Sequence, residues 1–185
     1  VLVCRDDERE TMATIAAQAG CSVTFATGGA TRQDSVASGL AALPPTVRLV
    51  AVHDAARPLV TPELFWAALD QADAEGSGVV AVPVVDTLKR VEDRVLVGDL
   101  DRATTWAMQT PQAFRRELLE SASQSALAAG FVGTDEASLV RRLGHAVRVV
   151  EGSPRNFKVT TRDDFAVANA LLGGTNGERP FAVVP

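Results

Sequence analysis

"VHDAARP", residues 52–58, places a histidine, an acid and an arginine directly after the apolar run Leu49-Val50-Ala51-Val52. A run that is apolar at every position reads as a strand buried on both faces, and such strands belong to mostly parallel sheets lying between helices. Polar side chains just past its end then stand where open parallel sheets bind ligands, beyond the carboxyl ends of the strands. Asp54 there can hold Mg2+, which takes one or two protein carboxylates together with phosphate oxygens and water. It can equally form an ion pair with Arg57, which Pro58 keeps close. His53 reads as a hydrogen-bonded structural residue.

The same rhythm extends in both directions. Strand-like runs at 1–3, 22–26, 47–52 and 78–82 alternate with helical patterns over about 8–19, 32–43 and 62–75. In the second helix Val36, Leu40 and Leu43 share one face. Helices near 115–129 and 135–143, a strand at 146–150 and a helix at 162–172 follow. The predicted fold class is α/β, three-layered, with a mostly parallel sheet, in one domain over residues 1–172. Residues 84–108, "VVDTLKRVEDRVLVGDLDRATTWAM", hold alternating strand-like pieces around Glu92-Asp93-Arg94 without a helical face. They read as a β-hairpin arm projecting from the sheet, whose apolar residues want a partner. Residues 173–185, "GGTNGERPFAVVP", read as a tail or a truncated linker.

Composition narrows the classes. The chain of 185 residues is 46% hydrophobic and 22% charged, the balance of a globular protein with a substantial core. Its net charge of −5 with scattered Lys and Arg argues against nucleic acid and anionic membranes as partners. No apolar run approaches the roughly 20 residues of a membrane span, and the first residues lack the layout of a signal peptide. Cys4 and Cys21 form no metal-binding spacing, so the expected location is cytoplasmic.

Further polar clusters fall at the predicted strand ends. In "TGGATRQDS", residues 27–35, Gly28 and Gly29 follow a strand and open a helix, where backbone N–H groups favour an anion, although a glycine pair at such a junction is commonly just a tight turn. "DTLKR" begins the arm and Arg102 lies near its return. Both sites would ordinarily be solvated surface charge. "TPQ", residues 110–112, reads as a turn. "TDEAS", residues 134–138, reads as a helix start with Thr134 as cap and two acids at the positive end of the dipole. "NFKVT" places Lys158 in a short extended piece before the last helix.

Taken together and in order, "GGATRQDSV", "VHDAARP", "DTLKR", "WAMQTPQ", "TDEAS" and "EGSPRNFKVT" resemble the 2-C-methyl-D-erythritol 4-phosphate cytidylyltransferases of non-mevalonate isoprenoid biosynthesis. The resemblance spans residue 1 to about residue 172. It implies a Rossmann-like nucleotidyltransferase fold and a Mg2+-dependent transfer of CMP from CTP to methylerythritol phosphate with release of pyrophosphate. It also implies that Gly28, Gly29, Ala30 and Ser35 lie against the nucleotide and that Asp54 holds the metal. Lys158 and Arg102 would position the substrate phosphate, Arg102 from the arm of a partner subunit in a homodimer. Thr87, Arg57, Thr110 and Thr134 would complete the pocket. Members of this family are bacterial or, in plants and algae, plastidic.

Family members open with a first strand and a Gly-rich loop bearing an arginine, followed by a Pro-Lys pair. This chain begins at what reads as the second strand, so those segments are expected to be missing from it, leaving a gap in the sheet that needs cover. Two alternatives accompany the assignment: a cytidylyltransferase for another polyol phosphate such as ribitol 5-phosphate, and an inactive fragment or dimerisation module of the same fold. "HDAARP" and "WAMQTPQ" favour methylerythritol phosphate by resemblance. The tail could lead to a fused cyclodiphosphate synthase.

Overall fold

Buried apolar runs and amphipathic stretches alternate along the chain, and the computed structural model, which describes residues 1–173, builds them into strands and helices in that order. The elements are β1 (Leu2–Cys4), α1 (Arg9–Gln18), β2 (Phe25–Thr27), α2 (Arg32–Ala41), β3 (Leu49–Val52), α3 (Pro62–Glu75) and β4 (Ser77–Pro83). Then come β5 (Lys89–Glu92), β6 (Val95–Asp99), β7 (Trp106–Arg115), α4 (Arg116–Ala128), α5 (Glu136–Arg142), β8 (Val149–Glu151) and α6 (Arg162–Gly173). Most of the tail expected over residues 173–185 lies outside the described residues.

The central sheet has the order β3-β7-β4-β8. Strands β3, β4 and β8 run in one direction, and β7 lies antiparallel between β3 and β4. The predominance of one strand direction is as the sequence predicts, but β7 is not foreseen as a strand of this sheet: its first residues, 106–108, fall in the stretch expected to be arm. "TPQ", read as a turn, lies inside it, with Gln112 paired to Val52 and to Val79. The cause is physical. Periodicity finds a central strand by its apolar residues, whereas Gln109, Thr110 and Gln112 are all buried and find hydrogen-bond partners inside the protein.

Side chains alternate across this sheet and divide the interior into two clusters. Val79 and Phe114 point to the side covered by α2, α4 and α5, where they join Leu40, Val50, Leu119 and Val140. Val80 and Ala113 point to α3, against Ala68 and Ala72. Small residues on that side let α3 sit close to the strand. A Cβ at Gly78 would fall 2.2 Å from the Ala68 carbonyl oxygen. Helix α3 starts with Pro62 at its first position and stops at Gly76, whose φ of 89° lets its N–H reach the Ala72 carbonyl.

The arm is a two-stranded ribbon, β5 against β6, closed by Asp93 and Arg94 at φ of 47° and 65°, the backbone of a tight hairpin turn. Val91, Val95, Leu96 and Val97 on it are exposed. Strand β1 pairs in parallel with β2 in a separate sheet. Between β1 and β3 lies a groove of about 520 Å³, lined among others by Val3, Leu40, Val50, Arg32 and Asp54.

Substituting Gly78→Ala should drive the new methyl into the α3 backbone and lower stability by about 1–3 kcal/mol. The urea midpoint measures this, and an unchanged midpoint would show that α3 can retreat without loss.

Candidate active site

The turn after β3 is fixed by Thr110, a buried side chain on β7. Its Oγ1 accepts a hydrogen bond from the Asp54 N–H at 3.0 Å and lies 3.0 Å from His53 Nδ1. The hydroxyl has one proton to give, so it donates to Nδ1, and His53 Nε2–H then donates to the Arg57 carbonyl at 3.3 Å. Burial pushes the His53 pKa down, only partly offset by its hydrogen bond to the Arg57 carbonyl and the nearby Asp54 charge. With both ring nitrogens engaged and the ring packed on Phe65 at 5.1 Å, His53 is structural, as its sequence context implies.

Asp54 has two cationic partners, and neither is Arg57. Lys158 Nζ donates to Oδ2 at 3.0 Å, and Arg32 Nη2 and Nε approach Oδ1 at 3.2 and 3.4 Å. Burial opposes the charge on Asp54, but the Lys158 hydrogen bond and the Arg32 charge outweigh it and hold the carboxyl below its ordinary 3.8. Arg57 instead donates from Nη1 to the Asn156 carbonyl at 2.8 Å and from Nη2 to the Met108 carbonyl at 3.3 Å. The ion pair between Asp54 and Arg57, one of the two sequence readings, is therefore replaced by a backbone clasp.

Lys158 comes from a segment without regular secondary structure, so side-chain bonds must place it. Asn156 is fully buried, and its Nδ2 donates to Gln109 Oε1 and to the Thr110 carbonyl. Gln109 Nε2 donates to the Ser153 carbonyl, and the Val159 N–H to that of Ala56. These bonds lay the segment against the turn that carries Asp54.

The glycine loop closes on itself. Gly29 N–H donates to Ser35 Oγ at 3.1 Å, and Ser35 Oγ donates to the Thr31 carbonyl. A Cβ at Gly29 would lie 2.2 Å from that of Asp34, so the loop requires glycine there. Gly28 N–H donates to the Cys4 carbonyl, and Ala30 is exposed beside it. Ser35 and Arg32 line the same groove as Asp54.

The cap of α5 is Asp135, a correction to the expectation for Thr134. Asp135 Oδ1 accepts from the Ser138 N–H at 2.9 Å while Oδ2 accepts from Gln112 Nε2, so one carboxylate caps the helix and ties it to β7. Thr134 is exposed just before it. Thr87 and Arg102 lie on the arm, where Arg102 Nη1 donates to the Val85 carbonyl at 3.2 Å. Neither is hydrogen-bonded to the Asp54 cluster. The reading of the sequence missed Arg32, Glu136, Gln109 and Asn156 as site residues. All lie inside the quoted motifs, and their signal was a polar residue at a position that the fold buries or pairs.

Among the described residues no group of three or more His, Cys, Asp or Glu side chains could enclose a metal. A lone, partly shielded carboxylate fits a hard cation that brings phosphate oxygens and water, which is how Mg2+ binds.

Because the folded-state pKa of Asp54 is depressed, its pairing contributes stability above its ordinary value and loses it as pH falls through that value and below. Asp54→Asn should therefore lose less unfolding free energy than the parent between about pH 6 and pH 2.5 in urea titrations. An equal loss would remove Asp54 from the acid response.

Three comparisons bear on this geometry. The model of the IspD family, 2-C-methyl-D-erythritol 4-phosphate cytidylyltransferase, matches residues 1–174. A protein of that name from Symbiobacterium thermophilum is 51% identical over 146 residues, 78% of this chain and 62% of that protein, so the chain spans about three fifths of its length. The crystal structure of 4-diphosphocytidyl-2C-methyl-D-erythritol synthase from Anaerococcus prevotii superposes with a TM-score of 0.85 at 32% identity, covering 92% of this chain and 80% of that one. The bifunctional IspDF of Campylobacter jejuni superposes with a TM-score of 0.71 at 26% identity, covering 89% of this chain and 40% of that one. With the family model matching nearly the whole chain, it belongs to the 2-C-methyl-D-erythritol 4-phosphate cytidylyltransferase family.

Proposed function

We propose that this chain transfers CMP from CTP to 2-C-methyl-D-erythritol 4-phosphate, releasing pyrophosphate. The observation that carries the reading is the pair of Asp54 and Lys158 at 3.0 Å, a carboxylate and an amine brought together at the carboxyl end of β3 in a chain of this family. The attacking group is a phosphate oxygen that is already anionic. It needs no strong base, which agrees with a His53 whose ring nitrogens are both engaged. Catalysis then rests on alignment and on stabilising charge at the α-phosphate.

Asp54 would hold Mg2+, which when bound neutralises phosphate charge. Lys158, half-exposed on a braced segment, would turn to bind the substrate phosphate. Arg102 would reach the same phosphate from the arm of a second copy, since it is exposed and its one side-chain hydrogen bond among the described residues stays within the arm. Two cations, one able to clamp two oxygens, suit a phosphate dianion. The apolar residues exposed on β5 and β6 support burial of the arm in a homodimer. Gly28, Gly29, Ala30 and Ser35 would face the nucleotide, and Thr87, Arg57, Thr110 and Thr134 would border the polyol. The likeness to a bifunctional IspDF makes a fused or associated cyclodiphosphate synthase a natural partner.

Pyrophosphate release with CTP, Mg2+ and methylerythritol phosphate tests the reaction. Ribitol 5-phosphate runs beside it as the competing acceptor, and preference for it, or no release with either, overturns the proposal. Lys158→Ala and Arg102→Ala should each lower turnover at least about a hundredfold, the scale of one lost charge-stabilising group. Arg102→Ala should do so at unchanged melting temperature, and mixing it with Lys158→Ala should restore part of the activity through mixed dimers.

A further inference from the structure

Glu136, Arg32, Asp54 and Lys158 stand in a line of alternating charge. The two cations that flank Asp54 are held very differently. Arg32 gives Nη1 and Nη2 to the two oxygens of Glu136 at 2.6 and 2.9 Å, and only its longer contacts reach Asp54. The Glu136 side chain is 2% exposed, so Arg32 cannot leave it without stranding a buried carboxylate. Lys158 is 46% exposed, and among the described residues its one side-chain hydrogen bond is to Asp54. One partner is anchored and the other is free to exchange.

We infer that Glu136 is a positioning residue that keeps Asp54 available to a divalent cation by holding Arg32 to itself; the inference rests on the cytidylyl transfer proposed above. When Lys158 turns to the substrate phosphate, the two carboxylates and one guanidinium left behind carry one net negative charge, which attracts a cation. Without the charge of Glu136, the Arg32–Asp54 pair is neutral. Arg32 is then free to close its fork on both oxygens of Asp54, and a bidentate clamp of that kind covers the atoms a metal needs. Glu136 itself touches neither nucleotide nor metal in this arrangement.

Binding of CTP with Mn2+, followed by calorimetry without the polyol phosphate, reads this apart from turnover. Glu136→Gln should weaken Mn2+·CTP binding at least about tenfold, and raise the half-saturating Mg2+ for pyrophosphate release in step, with kcat at saturating Mg2+ much less changed. The double variant Arg32→Gln with Glu136→Gln removes the guanidinium as well and should return binding to within about threefold of the parent. A purely structural role predicts the reverse, a double variant as weak as the single or weaker, and that result overturns the inference, as does unchanged binding in Glu136→Gln. Should the single variant fail to fold, the double variant alone decides by the same threefold criterion. A parent that binds no Mn2+·CTP overturns the proposed function itself, and the inference with it.

Discussion

A buried polar group must find a partner, and on β7 that requirement organises the active end of the molecule. Gln109, Thr110 and Gln112 are at most 5% exposed in the middle of the sheet, where water is not at hand to satisfy them. Each reaches a different segment. Thr110 holds the turn with Asp54, Gln112 bonds both Asp135 and the Ala137 N–H at the start of α5, and Gln109 holds the Ser153 carbonyl and Asn156. Segments far apart in sequence are thus registered to one strand. The charged residues that they carry arrive within hydrogen-bond distance of one another as a consequence.

The charges show why such bracing is needed. Burial alone would raise the Asp54 pKa, and the Lys158 and Arg32 cations outweigh it and lower it instead. Bringing those cations together raises their own repulsion, which the buried Glu136 relieves on the Arg32 side. Burial of Glu136 is tolerable because the Arg32 fork satisfies both its oxygens, and because it lies in the first turn of α5, where the helix dipole favours a negative charge. Fold and site are coupled here: the helix start caps itself with Asp135 and points the following carboxylate into the site.

The sequence exposed those features that depend on periodicity and on chain-local rules. Helix α3 is foreseen to the residue, and the turn at Asp93-Arg94 follows from the alternation on either side of it. β7 escaped because its buried face is polar, and a pattern that equates burial with apolarity cannot see a strand whose interior groups are paired with distant loops. For the same reason the sequence points to Asp54 and, through the resemblance, to Lys158, while the Arg32 and Glu136 that the structure joins to them stay hidden. Nothing local in "TRQDS" or "TDEAS" says that 104 residues of separation close to 2.6 Å. Thr134 and Asp135 are both good caps by residue type, so the sequence cannot choose between them; the observed cap, Asp135, also accepts from Gln112.

The arm obeys other physics. An isolated two-stranded ribbon is marginal in water, and this one is held by its tight turn, its ladder and an ion pair between Lys89 and Asp99. Its exposed Val91, Val95, Leu96 and Val97 gain nothing from solvent, and covering them on a second copy would return roughly 25 cal/mol for each Å² of apolar surface removed from water. In the proposed function the same event would deliver Arg102 to the phosphate that Lys158 is proposed to bind. Assembly and completion of the site then draw on one source of free energy. In that proposal the internally paired cluster of the body is one half of the site, and the arm would bring the other half once it is buried on a second copy.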